Sequence, residues 1–332
     1  MSSIGGRPVG IMGAGMCVPK RLVTNEDMER IVDTTDEWIV ERTGIHARRV
    51  ISGDESNASL AASACLEALS KSGVNPREID MIIVGTNSPD TLLPGVGPTI
   101  QGMIDAPDAG GMDIQAGCPG SLYAMAAAAG GIASGIWNRV LAVGSEAFTR
   151  MVDWEHRSTC ILFGDGAGAV VMGEWRPGLP RLSNIDLKAD GKKHDMIVIP
   201  AGMAAEPASP ETVRDRRHFV KMNGADVFKF ANRKIPPYLE NFCASCGITP
   251  KEVDWWIFHQ ANIRILQGIS QRMGIPSEKL IVNLDRYGNT SAASIMICLY
   301  EAMTDGRIKS GQRVVMTSFG AGMTYGAALI EC

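Results

Sequence analysis

An internal repeat is the feature of this 332-residue sequence that most restricts its fold. The stretch "VNPREIDMIIVGT" at 74–86 has a counterpart 174 residues later, "ITPKEVDWWIFHQ" at 248–260. The same offset relates "RVLAVGS" at 139–145 to "RVVMTSF" at 313–319. Self-similarity at a fixed offset indicates that one structural unit is present twice. The sequence therefore predicts a duplicated architecture.

Both halves show the same order of elements. An amphipathic helix, at 60–72 and again at 228–246, precedes a Pro-containing turn, a continuous apolar strand, a second helix and two more strands. Continuous apolar strands that alternate with helices are typical of sheets buried on both faces. We expect an α/β sandwich in which two similar halves, 1–174 and 175–332, pack around a shared helical layer and join near "EWRPGLP".

Composition restricts the location and the partners of the chain. A net charge of −4 argues against a surface built to bind nucleic acid. The longest weakly polar run, at 123–137, is shorter than the about 20 residues of a membrane span. No basic segment followed by a long apolar one opens the sequence, so no signal peptide is expected. Eight scattered cysteines favour reduced thiols, and we expect a cytoplasmic protein.

A cysteine stands at the turn between a strand and an alanine-rich helix, in "DIQAGCPGSLYAM" at 113–125. Pro119 suits the first position of a helix, which would make Cys118 the N-cap, and Gly117 permits a sharp approach. The positive end of the helix favours a thiolate, so we expect a lowered pKa for this thiol. The position 174 residues later is Ala292. One half thus carries a candidate nucleophile, with a small buried cysteine as the plain alternative.

Two polar residues of the second half complete a candidate site. His259 in "HQAN" ends an apolar strand where the first half has Gly85, and the carboxyl ends of parallel strands are common ligand sites. Asn289 in "YGNTSAAS" enters a helix and by itself would be interpreted as a helix cap. Because the strand ends and helix starts of a duplicated fold converge where the halves meet, we expect Cys118, His259 and Asn289 to form one site.

These side chains favour covalent acyl transfer. A thiolate can take an acyl group from a thioester and hold it. His259 and Asn289, both uncharged, can donate hydrogen bonds to the enolate that forms when a malonyl thioester loses carbon dioxide. A hydrolase would instead need a carboxylate that orients His259 as a base, and the sequence offers no obvious one.

Over nearly its whole length the chain resembles the β-ketoacyl-acyl carrier protein synthase III family of the thiolase superfamily. The motifs that carry the resemblance are "TTDEWIVERTGIHARRV", the Cys118 turn, "RSTCILFGDGAGAVV", "NGADVFKFA", "HQANIRIL", "NLDRYGNTSAASI" and "SFGAGMTYGAALI". The resemblance implies a thiolase-like duplicated αβαβα fold and a decarboxylating condensing enzyme that initiates fatty acid synthesis. An acyl group would pass from coenzyme A to Cys118, and malonyl-acyl carrier protein, decarboxylated with help from His259 and Asn289, would attack it.

The resemblance also implies roles in binding. Backbone N–H groups of Cys118 and Ala321 would form the oxyanion hole. Coenzyme A would contact Trp38, Arg42 and Arg157, with the adenine held between the indole and the Arg157 guanidinium. A core position for Trp38 is the plain alternative.

Partners follow from the same resemblance. Lys229 and Arg264 would receive the acidic carrier protein, although solvated charges are the plain alternative. Leu93 would close the acyl pocket of the partner subunit in a homodimer. Acyl-coenzyme A is a substrate, so no cofactor is expected. No metal is expected either, because Cys243 and Cys246 form a single CxxC without a second pair.

Four positions depart from the family pattern. Pro119 and Ser121 follow the cysteine where the family commonly has a small residue and an aromatic, Leu93 stands where many members have an aromatic, and Ala321 replaces a glycine. The alanine is tolerable if its φ is negative. The acyl specificity therefore stays open, and a specialised acyltransferase or condensing enzyme of secondary metabolism is the second hypothesis. A non-catalytic scaffold subunit is the third, although such a subunit is expected to lose the nucleophile.

Overall fold

The structure is a computed structural model that describes residues 6–332. Residues 1–5, part of the segment that decides whether a signal peptide is present, lie outside the described residues. Within 6–332, no helix has both the length and the apolar composition that crossing a membrane requires.

Residues 6–332 form fourteen strands and eleven α-helices. The strands are β1 (Val9–Cys17), β2 (Leu22–Thr24), β3 (Ala47–Arg49), β4 (Met81–Gly85), β5 (Gly110–Ile114), β6 (Arg139–Glu146), β7 (Gly166–Glu174), β8 (Arg181–Ala189), β9 (Ile197–Val198), β10 (Lys221–Met222), β11 (Trp255–Phe258), β12 (Leu280–Ile281), β13 (Arg313–Gly320) and β14 (Thr324–Glu331). The helices are α1 (Asn25–Glu29), α2 (Asp36–Thr43), α3 (Asn57–Ser72), α4 (Val96–Met103), α5 (Gly120–Ser134), α6 (Arg157–Cys160), α7 (Pro210–Arg214), α8 (Gly224–Ser245), α9 (Ile263–Met273), α10 (Leu284–Tyr287) and α11 (Ser294–Thr304).

Ten strands form one hydrogen-bonded sheet in the order β12-β11-β13-β14-β8-β1-β7-β6-β4-β5. In the first half β4 pairs in parallel with β5 and β6, and the sheet continues antiparallel through β7 to β1. In the second half β11 pairs in parallel with β12 and β13, and the sheet continues antiparallel through β14 to β8. A short pairing of β1 with β8 joins the two portions. The duplicated α/β fold is therefore confirmed.

Three hydrophobic cores define the layers. The central core contains α5 and α11 with one face of β6 and of β13. The outer cores place α3 and α4 against the first half of the sheet, and α8 and α9 against the second. Successive strand residues face opposite cores, as Ile83 faces the central core while Ile82 and Val84 face the outer one. The layers run helix, sheet, helix, sheet, helix, which confirms the predicted αβαβα sandwich.

The two halves share their hydrogen bonding as well as their topology. Asp80 Oδ2 accepts from the backbone N–H of Arg139 at 2.9 Å, and Asp254 Oδ2 accepts from that of Arg313 at 2.8 Å. Asp80 precedes β4 and thereby fixes the start of the neighbouring β6, as Asp254 precedes β11 and fixes the start of β13. The division of the chain after Glu174 stays a prediction.

The two segments that lack a counterpart in the other half, 151–159 and 188–217, contact each other. Arg216 donates through Nε to Asp153 Oδ2 at 3.0 Å and through Nη1 to Glu155 Oε1 at 3.1 Å. Its Nη2 also lies 2.5 Å from Asp153 Oδ1, and a half-exposed bidentate pair of this kind fixes geometry more than it adds stability. The two added segments are therefore joined by direct ion pairs.

Candidate active site

Cys118 lies in a tight turn between β5 and α5. Gly117 has a φ of +62°, and Asn87 holds it on both sides, since the Nδ2 group donates to its carbonyl and the Oδ1 atom accepts from its N–H, both at 3.1 Å. Glycine is the residue that adopts this left-handed conformation without strain. Helix α5 begins at Gly120 with Pro119 as its N-cap. The prediction that Cys118 is the N-cap was wrong by one residue.

The expected lowering of the Cys118 pKa is also wrong. Burial raises the pKa of this thiol to about 12, and the negative charge of Glu146 acts in the same direction. A hydrogen bond from the Ser291 hydroxyl, with Oγ 3.6 Å from Sγ, opposes the shift without overcoming it. Desolvation of the thiolate thus outweighs the helix end. The thiol needs a proton acceptor before it can act as a nucleophile.

His259 follows β11 and is held in a buried, uncharged form. Its backbone N–H donates to the Thr317 carbonyl at 2.8 Å, and its Nδ1 lies 2.8 Å from the Ser294 hydroxyl. The ring packs edge-on against Phe319, with centroids 5.6 Å apart. Burial lowers the pKa of His259 to about 3, so the imidazole is neutral at physiological pH. A hydroxyl partner, where a hydrolase would place a carboxylate, suits a hydrogen-bond donor better than a base.

Asn289 is fixed by its own turn and by the segment after α6. Its backbone N–H donates to the Leu162 carbonyl at 2.8 Å, and its carbonyl accepts from Gly164 at 3.0 Å. The side-chain Oδ1 accepts from the N–H of Ser291 at 2.9 Å. With the amide oxygen engaged in the turn, the Nδ2 group is the part of this side chain that can serve a substrate.

One short segment brings the three predicted residues together. Ser291 and Ser294 stand two and five residues after Asn289, and they reach the Cys118 thiol and the His259 ring respectively. Residues from both halves therefore lie around one point, where β11 ends and where α5 and α11 begin. The site is at the junction that the duplication predicts.

The loop after β13 closes over the cysteine. A Cβ added to Gly320 would lie 2.5 Å from the backbone N of Cys118 and 3.0 Å from its Sγ, and one added to Gly117 would lie 2.7 Å from the N of Ala321. Only Asp105, Arg216 and Ser291 have a positive φ among the described residues other than glycine, so Ala321 has a negative φ. Alanine is accommodated there without backbone strain. The backbone of Gly320 and Ala321 therefore packs directly against the Cys118 turn.

Sequence reasoning missed the buried Glu146 at the end of β6. Its Oε1 accepts from Asn87 Nδ2 at 2.6 Å and from the Ser291 hydroxyl at 2.9 Å, and its Oε2 accepts from the Ser88 hydroxyl. Burial raises the pKa of this carboxyl group. The signal that could have found it is its place at a strand end in "VGSE", the same reasoning that selected His259.

The three residues expected to bind coenzyme A lie together at the surface. The guanidinium carbons of Arg42 and Arg157 each lie 4.6 Å from the centre of the Trp38 ring, and Arg157 also donates to the Asp33 carbonyl at 2.9 Å. The indole is half-buried beside two cations, a geometry that can accept the face of a purine once a guanidinium moves outward.

The other expected binding residues are spread over the surface. Lys229 on α8 lines a pocket with Lys193, Arg233 and Lys234. Leu93 is 85% exposed, so it closes no cavity of its own chain.

Arg264 lies elsewhere and is paired. Its Nε donates to the Glu41 carbonyl at 3.0 Å, and its Nη2 lies 3.1 Å from Glu41 Oε1. Glu41 belongs to α2, the helix of Trp38 and Arg42, so Arg264 borders the expected coenzyme A site.

Comparison with known proteins identifies the family. Residues 112–191 match the family model described as 3-oxoacyl-[acyl-carrier-protein (ACP)] synthase III, and residues 243–332 match that of its C-terminal part. A β-ketoacyl-[acyl-carrier-protein] synthase III of Symbiobacterium thermophilum is 45% identical over 325 residues, which is 98% of each chain. The chain belongs to the β-ketoacyl-acyl carrier protein synthase III family.

Solved structures similar to this chain share the fold. That of the synthase III from Thermus thermophilus matches with a TM-score of 0.90 at 40% identity, over 97% of this chain and 99% of that one. The priming β-ketosynthase from the R1128 polyketide biosynthetic pathway matches with a TM-score of 0.89 at 31% identity, over 98% and 97% of the two chains. The predicted thiolase-like fold is confirmed.

One departure from the family pattern has a clear position. Ser121 is fully buried, and its hydroxyl has no hydrogen-bond partner among residues 6–332. A Cβ added to Gly144 on β6 would lie 2.8 Å from its Cβ, so the side chain points between α5 and the sheet. The effect of Pro119 and Ser121 on the acyl pocket stays a prediction.

Proposed function

We propose that this protein condenses an acyl group from acyl-coenzyme A with malonyl-acyl carrier protein. The products are 3-ketoacyl-acyl carrier protein, free coenzyme A and carbon dioxide, and the reaction initiates fatty acid synthesis. The observation that carries the proposal is the convergence of Cys118, His259 and Asn289 on the segment that holds Ser291 and Ser294. A covalent intermediate splits one difficult carbon–carbon bond formation into two easier steps.

Cys118 is the nucleophile of the first step. Its thiolate attacks the thioester carbonyl, a new carbon–sulfur bond forms, and the bond to the coenzyme A sulfur breaks. The departing sulfur takes up a proton. Backbone N–H groups of Cys118 and Ala321 stabilise the oxyanion, because the glycine before Ala321 brings its loop against the thiol and presents no side chain.

His259 and Asn289 act in the second step. Loss of carbon dioxide from the malonyl group leaves an electron pair on carbon and an enolate oxygen on the thioester. A neutral imidazole that accepts at Nδ1 from the Ser294 hydroxyl carries its proton on Nε2, and this N–H with Asn289 Nδ2 donates to the enolate. The carbanion then attacks the acyl carbonyl, and Cys118 leaves as a thiolate.

Binding of both substrates rests on charged and aromatic groups at the surface. Trp38, Arg42 and Arg157 hold the nucleotide of acyl-coenzyme A, which is a substrate and not a resident cofactor. Lys229 and Arg264 receive the acidic carrier protein, a pairing that raises the association rate more than the affinity.

The proposal includes a cytoplasmic homodimer. Leu93 is 85% exposed, and insertion of this side chain into the acyl pocket of a partner subunit accounts for its exposure. An exchange that pairs two copies of the same segment is the arrangement expected of a two-fold symmetric dimer.

Intact-mass measurement after mixing with acetyl-, isobutyryl- or octanoyl-coenzyme A tests the first step. A single acyl adduct should form on the protein and on a Cys17→Ala control, and it should be absent from Cys118→Ala. Carbon dioxide should then be released from malonyl-acyl carrier protein. Absence of every adduct would overturn the starter-enzyme function, and an adduct without release of carbon dioxide would reduce the activity to plain acyl transfer.

A specialised condensing enzyme of secondary metabolism is the second candidate. The departures at Pro119, Ser121 and Leu93 favour it, as does the 31% identity to a priming β-ketosynthase of a polyketide pathway. The preferred chain length among the three acyl donors distinguishes the two, because a primary starter enzyme is expected to prefer acetyl or short branched groups.

A further inference from the structure

A buried carboxylate without a charged partner lies beside the nucleophile. Glu146 has no exposed surface, and it accepts from the side chain of Asn87 at 2.6 Å, from the backbone N–H of Asn87 at 3.2 Å, from the Ser88 hydroxyl, from the Ser291 hydroxyl at 2.9 Å and from the N–H of Ala292 at 3.4 Å. All of these donors are uncharged. A carboxylate kept in the interior without a cation is costly, and such groups cluster at functional sites.

Ser291 connects this carboxylate to the thiol. Its Oγ lies 2.9 Å from Glu146 Oε1 and 3.6 Å from Cys118 Sγ. A hydroxyl carries one proton, so Ser291 can donate to only one of these neighbours at a time. When Glu146 is ionised, Ser291 donates to it and can accept from the thiol. When Glu146 is protonated, it donates to Ser291, and Ser291 donates to the thiolate.

The two arrangements differ by the position of one proton. We propose that Glu146 takes up the Cys118 proton through the Ser291 hydroxyl and so prepares the nucleophile for acylation. The S–H bond breaks as an O–H bond forms on Ser291, and the original Ser291 proton passes to Glu146. Thiolate and carboxylic acid result, with no change in net charge. Glu146 is a positioning residue, since it acts through Ser291.

The proton then has an acceptor. As the thiolate displaces coenzyme A from the thioester, the departing sulfur needs a proton. Glu146 then gives its proton to Ser291, and Ser291 gives one to the departing sulfur. No other reactant is required. This part of the inference rests on the proposed function, whereas transfer between Glu146 and the thiol does not.

The surrounding charges favour this role. Burial raises the pKa of the Glu146 carboxyl group, which makes it a stronger base. Cys118 is the titratable neighbour reached through Ser291, and the groups that face Glu146 from the β4 loop and from the segment before α11 are amides and hydroxyls. His259 is buried and neutral, so it adds no competing charge.

The rate of Cys118 alkylation by iodoacetamide, followed by mass spectrometry from about pH 6 to pH 9, tests the proposal. With Glu146 as acceptor, the rate should change little over this range. In Glu146→Gln and in Ser291→Ala it should fall at pH 7, by about 10² if the relay acts as a general base, and should then rise about tenfold per pH unit. Ser291→Ala keeps the buried carboxylate, so it carries the test if Glu146→Gln fails to fold.

Asp165→Asn is the matched control. Asp165 is a second buried carboxylate, held by the Thr149 hydroxyl at 2.6 Å and by the N–H of Ile51 at 2.9 Å, and it should give the wild-type profile. An equal loss at every pH in Glu146→Gln would reduce its role to structural support. A faster reaction at pH 7 would mean that its charge only opposes the thiolate. Either outcome overturns the proposal.

Acyl-adduct formation, measured on the same samples, distinguishes a failure of the proposed function from a failure of the proton relay. Failure of wild-type protein to form an adduct would overturn the proposed function and leave the alkylation profiles to decide the role of Glu146. Adduct formation at the wild-type rate in both relay variants would overturn the relay and leave the proposed function intact.

Discussion

The starts of α5 and α11 occupy equivalent places in the two halves but meet different neighbours. The first residues of these helices, Gly120 and Ser294, are 174 positions apart, as are the strand-end residues Gly85 and His259. A Cβ on Gly85 would lie 2.1 Å from the carbonyl carbon of Gly120, whereas His259 places a ring within hydrogen-bond distance of Ser294. The first half closes this gap with backbone, and the second half fills it with an imidazole ring.

A second pair shows the same division. Glu146 and Gly320 are also 174 positions apart. Glu146 accepts from the N–H of Ala292 at 3.4 Å. Cys118 is the counterpart of Ala292, and its N–H faces Gly320, which has no side chain. Equivalent N–H groups therefore face a carboxylate in one case and a glycine in the other, and the glycine leaves the space that the proposed oxyanion hole needs. The two halves thus share this backbone arrangement and differ in the side chain that faces it.

Removal of the donors contributed by the second half should have the largest effect. His259→Ala and Asn289→Ala should each lower the condensation rate by about 10²–10³, because a donor to the developing enolate is lost. Both should keep the acyl adduct on Cys118. Release of carbon dioxide and adduct mass, measured separately, check this, with the exposed His194→Ala as the control. Loss of the adduct in either variant would assign that residue to the first step.

Filling the position opposite Cys118 should have the next largest effect. A Cβ in Gly320→Ala would lie 2.5 Å from the Cys118 N, so the loop must shift away from the oxyanion, and we expect a loss of about 10² in turnover. Gly130→Ala, where a Cβ meets nothing within 4 Å, should leave turnover unchanged. Wild-type turnover in Gly320→Ala would contradict the oxyanion role of this backbone.

His259 should make the folded protein sensitive to acid. Burial lowers its pKa to about 3, and the unfolded residue titrates at about 6.5, so between these values the unfolded state binds a proton that the folded state does not. This residue should therefore lower the free energy of unfolding as the pH falls, by up to about 1.4 kcal/mol per pH unit.

Urea unfolding between about pH 4 and pH 7 measures this effect. His259→Asn should give a flatter pH dependence than the wild type, whereas His194→Asn should follow the wild type. Parallel curves for His259→Asn and wild type would mean that the imidazole accepts a proton in the folded state.

The smallest effect is expected at Ala321. Its φ is negative, so Ala321→Gly relieves no strain and should change turnover less than about twofold. The added freedom of glycine should lower the free energy of unfolding by about 0.5–1 kcal/mol. A large gain in turnover would show that the alanine methyl group obstructs the oxyanion hole.

The sequence was informative where a pattern repeats. The offset of 174 predicted the layers and the meeting of Cys118, His259 and Asn289, because backbone geometry is inherited by both copies. The nucleotide site around Trp38 was predicted from a family motif, because the repeat contains no information about it. Roles for all of these residues stay predictions.

The sequence was uninformative where segments far apart in the chain together surround one side chain. Burial raises the pKa of the Cys118 thiol, and no local motif records how much of the thiol the rest of the fold covers. The link from Glu146 through Ser291 joins residues 145 positions apart, and hydroxyl contacts of this kind depend on side-chain positions that the periodicity of strands and helices does not fix.

The chain passes from the first half of the fold to the second only once among the described residues, between β7 and β8. The molecule is in effect a heterodimer whose two subunits are tethered end to end, at residues 175–180. A tether fixes their ratio at one to one and removes the need for them to find each other. A substitution in either copy is therefore inherited together with the copy that it faces.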